Sequence, residues 1–348
     1  MSLPTDPPGT TEDTNENAIE LRSVEGLSQG QIVRRKFFRH RGAVVGLATL
    51  VGLMVLAYTS IGIFGSPGWW KWDPTTPLPV QNGTDPTLSL PGWLGGSGFA
   101  IGDHPFGQDE IGRDIFARTM RGTQTSINIM LLISIVAALV GIVVGALAGF
   151  YRGAADNALM RLTDLFLTFP IIVIGAVLGK LAGGSGTLYL GLALGAVSWP
   201  TLARLVRGEF LTLREREFVD AARVAGASDI RIMRKHIIPN AMGVIIVNTT
   251  LLASAAVLLE VALSYLGFGI RSPDVSLGQM ISEYQSAFST RPWLFWWPGL
   301  FIIVIALTVN FIGDGLRDAF DPRQKKIPSE REMRKALQDE KSPAGTTS

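Results

Sequence analysis

The side chains able to do chemistry in this sequence are gathered at a few points of an otherwise apolar chain. The densest gathering is 217–240, EFVDAARVAGASDIRIMRKHIIPN, a polar, helix-forming stretch caught between two long apolar runs. Asp220, Ala221 and Ala222 open it, Gly226 interrupts it, and Pro239 is expected to close it. Arg223, Arg231, Arg234 and Lys235 make it cationic, while Ala221, Ala222, Val224 and Ala225 offer a small, smooth face. A short helix with small residues at its start fits a groove on another protein, so this chemistry is docking rather than catalysis. Gly226 lets the chain turn without a Cβ clash, and Ser228-Asp229 is placed to cap a following helix.

Three further residues have a chemical reading, each with an alternative. Glu260 lies well inside an apolar run, where a carboxylate is costly unless paired, hydrated or buried in protein. It either belongs to a translocation path or gate, or hydrogen-bonds one helix to another. Asp164 either lines a polar path or is an interfacial carboxylate beside Arg161. Pro200, after Trp199, bends a helix at a moving gate or at a static packing kink.

Other chemistry is excluded. With no cysteine there is no disulfide and no thiolate metal site. The chain has no GxxxxGK[ST] loop to cradle ATP phosphates, and the stretch from Gly175 to Lys180 has the wrong spacing and lies in an apolar run. No catalytic residue, cofactor or metal is therefore expected in this chain.

The elements that must position these residues are membrane spans. Of 348 residues, 47% are hydrophobic and only 17% charged, and mean hydropathy is +0.30. Six apolar runs are long enough to cross a bilayer: 42–64, then about 123–150, 162–181, 187–206, 241–267 and 293–312. The tails, 1–41 and 321–348, are polar and read as largely disordered. Between the first and second spans, 65–122 is a polar segment rich in Pro and Gly, and Trp69, Trp70, Trp72 and Trp93 place it at or near the membrane interface. Within it, the spacing of Glu110, Asp114 and Arg118 predicts a short surface helix held by i/i+4 pairs. The remaining five spans and the loop 207–240 make a core domain, 123–320. Gly141, Gly145 and Gly149 form a stripe that lets another helix approach closely.

Charge sets the expected orientation. The N-terminal tail, the loop with Arg152 and Arg161, the loop from Arg204 to Lys235, and the tail from Arg317 carry 24 of the 31 Lys and Arg. Positive residues stay on the cytoplasmic side, so both termini and the 217–240 stretch are expected there. The basic cluster Arg34, Arg35, Lys36, Arg39 and Arg41, directly before the first span, is read as a topology anchor; nucleic-acid binding is not expected.

Four segments, in order, resemble the permease subunits of ATP-binding-cassette importers, in the dipeptide/oligopeptide branch. Ala221, Ala222, Gly226 and Pro239 match the spacing of the "EAA" coupling loop, with Asp220 in place of Glu, His236 in place of Ile and Ile238 in place of Leu. Gly107 to Arg118 is similar to GTDxxGRDxxSR, with Gln108 for Thr and Ala117 for Ser. Ser264 to Ile270, followed by Ser272-Pro273-Asp274, resembles SFLGLGxxPP, and Phe311 to Arg323 is close to the ending of NLLGDGLRDALDPR.

The resemblance implies an all-α integral membrane protein with six transmembrane helices, the type I ABC importer permease fold, both termini inside. It implies a multi-pass subunit of the bacterial inner membrane that passes short peptides inward, though nickel and glutathione permeases look alike. It implies partners: a second homologous permease, two ATPase subunits carrying ATP and Mg, an extracytoplasmic peptide-binding protein, and membrane lipids. Asp220, Ala221, Ala222, Arg223, Gly226 and Pro239 are the residues it implies for ATPase coupling. A secondary transporter acting alone is the rival; it would show inverted repeats and paired intramembrane charges, which the sequence does not.

Overall fold

The computed structural model describes residues 29–63, 66–89, 98–182 and 186–320, and they are mostly helical. A short basic helix, α1 (Gln29–Arg39), ends one residue before α2 (Arg41–Ile61). The intervening His40 is extended, and its Nδ1 accepts the Ala43 N–H at 3.0 Å, so the chain turns and restarts there. An irregular segment then leads to α3 (Ile115–Tyr151), 37 residues long. Next come α4 (Gly153–Thr168), α5 (Ile171–Ala182), α6 (Gly186–Gly195) and α7 (Pro200–Leu213). The connection to the next span holds α8 (Glu217–Val224) and α9 (Asp229–Ile232). α10 (Ile238–Tyr265), a short α11 (Leu277–Tyr284) and α12 (Trp293–Phe320) complete the described chain.

Among the described residues, four helical stretches are long and apolar enough to cross a membrane alone: α2, α3, α9 continuing into α10, and α12. Two bent pairs bring the number to six if each is one span: α4 with α5, bent by 81°, and α6 with α7, bent by 43°. The bends have local causes. Phe169 precedes Pro170, whose ring excludes the helical conformation from the residue before it, and Phe169 is extended accordingly. A straight third span over 162–181 is therefore not what forms: one helix starts at Gly153 and breaks at Phe169. Pro200 does not sit inside a continuous helix either. It is the first residue of α7, where its missing N–H costs nothing, and the bend falls in the residues just before it.

α3 is the mast of the structure. Its stripe Gly141, Gly145, Gly149 lies against α7 so closely that a Cβ at Gly145 would stand 2.4 Å from the Ala203 carbonyl oxygen, and one at Gly149 2.6 Å from Phe210 Cβ. Two apolar cores lie toward opposite ends. One joins Ile115, Met120 and Ile127 of α3 to Val257 of α10, Leu277 of α11 and Ile305 of α12. The other joins Phe150 of α3 to Val206 and Phe210 of α7, Val219 and Ala222 of α8, and Ile237 and Ile245. The 1–28 and 321–348 parts of the tails, and Trp93, lie outside the described residues.

Candidate functional site

The 217–240 stretch folds as a short helix clamped from one side. Val219 and Ala222, one turn apart, are buried against Ile232, Met233, Phe210 and Val206. The other face is open: Asp220, Ala221 and Arg223 are exposed, Phe218 is partly exposed, and Val224 is 90% exposed. Ile230, in the next turn of chain, adds a second exposed apolar side chain at 62%. Asp220 and Arg223 pair with each other at 2.8 Å. Both are solvated, so this pair is weak and releases the carboxylate to another partner at little cost.

Gly226 ends α8 with φ +77°. The Ala227 N–H bonds the Ala222 carbonyl at 3.0 Å and the Gly226 N–H bonds the Arg223 carbonyl at 2.9 Å, the two closing bonds of a Schellman motif. That left-handed position is why glycine is needed, since no neighbour would clash with a Cβ there. Ser228 stands at the N-cap of α9 in the extended conformation, but its hydroxyl makes no capping bond. Pro239 does not close the stretch. A π-turn, Met233–Ile237, precedes it, with the Ile238 N–H reaching the Met233 carbonyl, and the helix runs on to Tyr265. Widening the turn accommodates the proline within a continuing helix. The Asn240 side chain then takes the His236 carbonyl at 2.6 Å.

Basic residues tie this region to α3 and α4. Arg207 forks onto Asp156 at 2.5 and 2.6 Å, Arg152 pairs with Glu215 at 2.6 Å, and Arg214 donates to the Phe150 carbonyl at the end of α3. Asp164 pairs with Arg204 of α7, not with Arg161 beside it in sequence. Arg231, Arg234 and Lys235 are exposed and make no ion pair among the described residues. Pro200 is buried where α7 begins.

Glu260 is fully buried near the far end of α10. Its Oε2 accepts the Ser126 hydroxyl of α3 at 2.8 Å and its Oε1 accepts the Ser264 hydroxyl, one turn on, at 2.7 Å. No cation pairs with it among the described residues. One carboxyl group thus links α10 to α3.

The 104–118 region is built differently from the surface helix its charge spacing predicts. Residues 106–114 form turns, and α3 begins only at Ile115, with Asp114 as its N-cap accepting the Ala117 N–H at 2.8 Å. Asp114 is fully buried; it also takes the Trp70 indole N–H at 2.9 Å and meets His104 Nδ1 at 2.7 Å. Burial pushes its carboxyl above the usual range, against the pull of those donors. Arg118 is buried too, and its partner is Glu283 of α11 at 2.6 Å, not Asp114. Glu283 also pairs with Arg113, which holds Asp109 at 2.5 Å, and the Tyr284 hydroxyl donates to Asp109 at 3.0 Å. Phe106 stacks on Trp297 of α12 at 3.7 Å. Trp70 and Trp72 are therefore structural anchors: Trp72 donates to the Asp103 carbonyl and stacks on His104. This polar latch was hidden in the sequence because Glu283 lies 165 positions from Arg118.

Among known proteins, the family model for the binding-protein-dependent transport system inner membrane component matches residues 141–326. A second, for the N-terminal TM domain of oligopeptide transport permease C, matches residues 28–87. The chain is 35% identical over 306 residues to the oligopeptide transport system permease protein OppC of Mycobacterium bovis, covering 87% of this chain and 98% of that protein. It is 34% identical over 307 residues to the OppC protein of Haemophilus influenzae, covering 88% and 93%. A solved structure of the MetNI methionine ABC transporter in inward-facing conformations is similar at 19% identity and a TM-score of 0.48, covering 59% of this chain and 97% of that one.

Proposed function

The chain belongs to the family of binding-protein-dependent transport inner-membrane components, and from that premise we propose that it is the permease subunit of an ATP-driven importer of oligopeptides. α8 is the contact for an ATPase subunit. The observation that carries this role is its two-sidedness: Val219 and Ala222 are locked into the core shared with α3, α7 and α10, while Val224, Phe218 and Ile230 are left to solvent. A push on that outer face cannot be absorbed locally. It passes through Phe210 and Val206 into α7 and through Ile237 into α10, and so to both sides of α3. The solvated Asp220–Arg223 pair and the Schellman turn at Gly226 set the shape of the docking face.

The rest of the assembly follows from chemistry this chain lacks. It has no phosphate-cradling loop, so ATP and Mg are held by two ATPase subunits and no catalytic residue belongs to this chain. Its spans carry rows of exposed apolar side chains, among them Leu165 on α4, Phe169 at the break, and Val173, Val177 and Leu181 on α5. These face lipid or a second, homologous permease that completes the pathway. In this arrangement each bent pair counts as one span, giving six, with both termini and α8 in the cytoplasm of a bacterium and the chain in its inner membrane. The charge bias of 24 of 31 Lys and Arg supports that orientation. The units are then the tail 1–41, the first span 42–64, the outer segment 65–122, the core 123–320 and the tail 321–348. The outer segment, held by its polar latch, is the landing face for an extracytoplasmic peptide-binding protein. The test is uptake of a labelled oligopeptide by proteoliposomes holding all subunits. Uptake should require both internal ATP and the binding protein; uptake without the ATPase subunits, or of nickel but not peptide, would contradict the reading.

A further inference from the structure

α1 carries a surface that neither the coupling site nor the spans use. Val33 and Phe37 hold it against Ala43, Leu316 and Ala319, so it lies where α12 ends and α2 begins. On its far face, at helical spacing, stand Arg34, Arg35, Phe38 and Arg39, followed by Arg41 at the start of α2. All five are exposed, Phe38 at 58%. None of the four arginines pairs with a carboxylate among the described residues, and the nearby Asp318 is engaged by His40 at 3.4 Å.

The position of this helix selects its partner. α2 is a candidate membrane span that starts one residue after α1 ends. The chain thus cannot leave the membrane surface between them, and packing on the end of α12 keeps α1 at that level. There the groups complementary to guanidinium forks that pair with no carboxylate among the described residues are lipid phosphates. An aromatic ring set among the arginines fits the boundary between headgroups and acyl chains. We propose that α1 is a docking surface for anionic phospholipid headgroups, with Arg34, Arg35, Arg39 and Arg41 as the phosphate-binding groups and Phe38 as the apolar anchor.

The chain has no cysteine, and a Cβ at Gly30 would meet nothing within 4 Å, so Gly30→Cys accepts a donor fluorophore without disturbing the fold. The full-length labelled chain is placed in nanodiscs of phosphatidylcholine containing a small fraction of acceptor-labelled phosphatidylglycerol or, separately, acceptor-labelled phosphatidylcholine. Local enrichment of phosphatidylglycerol should exceed that of phosphatidylcholine by about tenfold, given the attraction of several cations to an anionic surface, and shrink as salt rises. Neutralising the four sites (R34Q, R35Q, R39Q, R41Q) should reduce the two lipids to parity, and lysine at the same four sites should restore most of the preference. Parity in the unsubstituted chain, or a preference that survives neutralisation, overturns the proposal. So does a result in which neutralisation leaves lipid contact unchanged but releases the ATPase subunits from the purified complex, because the arginines would then serve a protein surface.

Discussion

Glu260 accepts hydroxyl donors from Ser126 and Ser264 inside a span. A glutamine amide offers one oxygen to accept a hydroxyl proton and an NH2 to donate to a hydroxyl oxygen, so rotating one serine hydroxyl satisfies both partners, whereas a methyl group offers neither. Glu260→Gln should therefore hold stability within about 1 kcal/mol, while Glu260→Ala, which strands the hydroxyls and leaves a void, should cost about 2 kcal/mol or more. Thermal unfolding of the two variants in detergent checks this. A stable Glu260→Gln protein that has lost transport would show that ionisation of the carboxyl, and not only its bonding, is used. The residue itself was legible as a carboxylate in an apolar run. Its partners were not, because Ser126 lies 134 positions away. Arg118 shows the opposite failure: its spacing from Asp114 matches a helical ion pair, but burial of both beneath the outer segment gives each a distant partner instead.

At the scale of elements, stability rests on two contacts of different kinds. The glycine stripe of α3 admits α7 to backbone distance, so Gly145→Ala forces a Cβ onto the Ala203 carbonyl at 2.4 Å. The expected cost is about 1–3 kcal/mol, typical of overpacking, read as a lower unfolding temperature; an unchanged value would mean the helices do not meet at this stripe. The outer latch is electrostatic. Glu283→Ala leaves the buried Arg118 without its carboxylate and should cost about 2 kcal/mol. The same variant should speed protease cleavage within 98–114, and unaltered cleavage would contradict the latch. The stripe could be read from its four-residue period. The breaks were legible in part: Pro200 marks one bend, which falls in the residues just before it, and Pro170 holds the signal of another through its effect on Phe169, but the π-turn before Pro239 leaves no mark in hydrophobic periodicity.

Across the whole molecule, the buried face of α8 shares one core with α3, α7 and α10, and its open face is where we propose that an ATPase subunit docks. Membrane class was legible from the apolar runs, since it depends on composition. Of the two bends, the one beside Pro200 was legible as well; the one at Phe169 was not, because the apolar run continues across it. In the proposed importer, the outer face of α8 transmits ATP hydrolysis to the spans. The most direct test is peptide-stimulated ATP hydrolysis by the complete complex in proteoliposomes, comparing the native chain with Val224→Asp. Val224 is 90% exposed, so the substitution should alter the stability of this chain by no more than about 0.5 kcal/mol. It should nonetheless lower peptide-stimulated hydrolysis at least tenfold, the effect of about 1.4 kcal/mol lost at a desolvated contact. Stimulation at the native level in a complex carrying Val224→Asp would contradict the account.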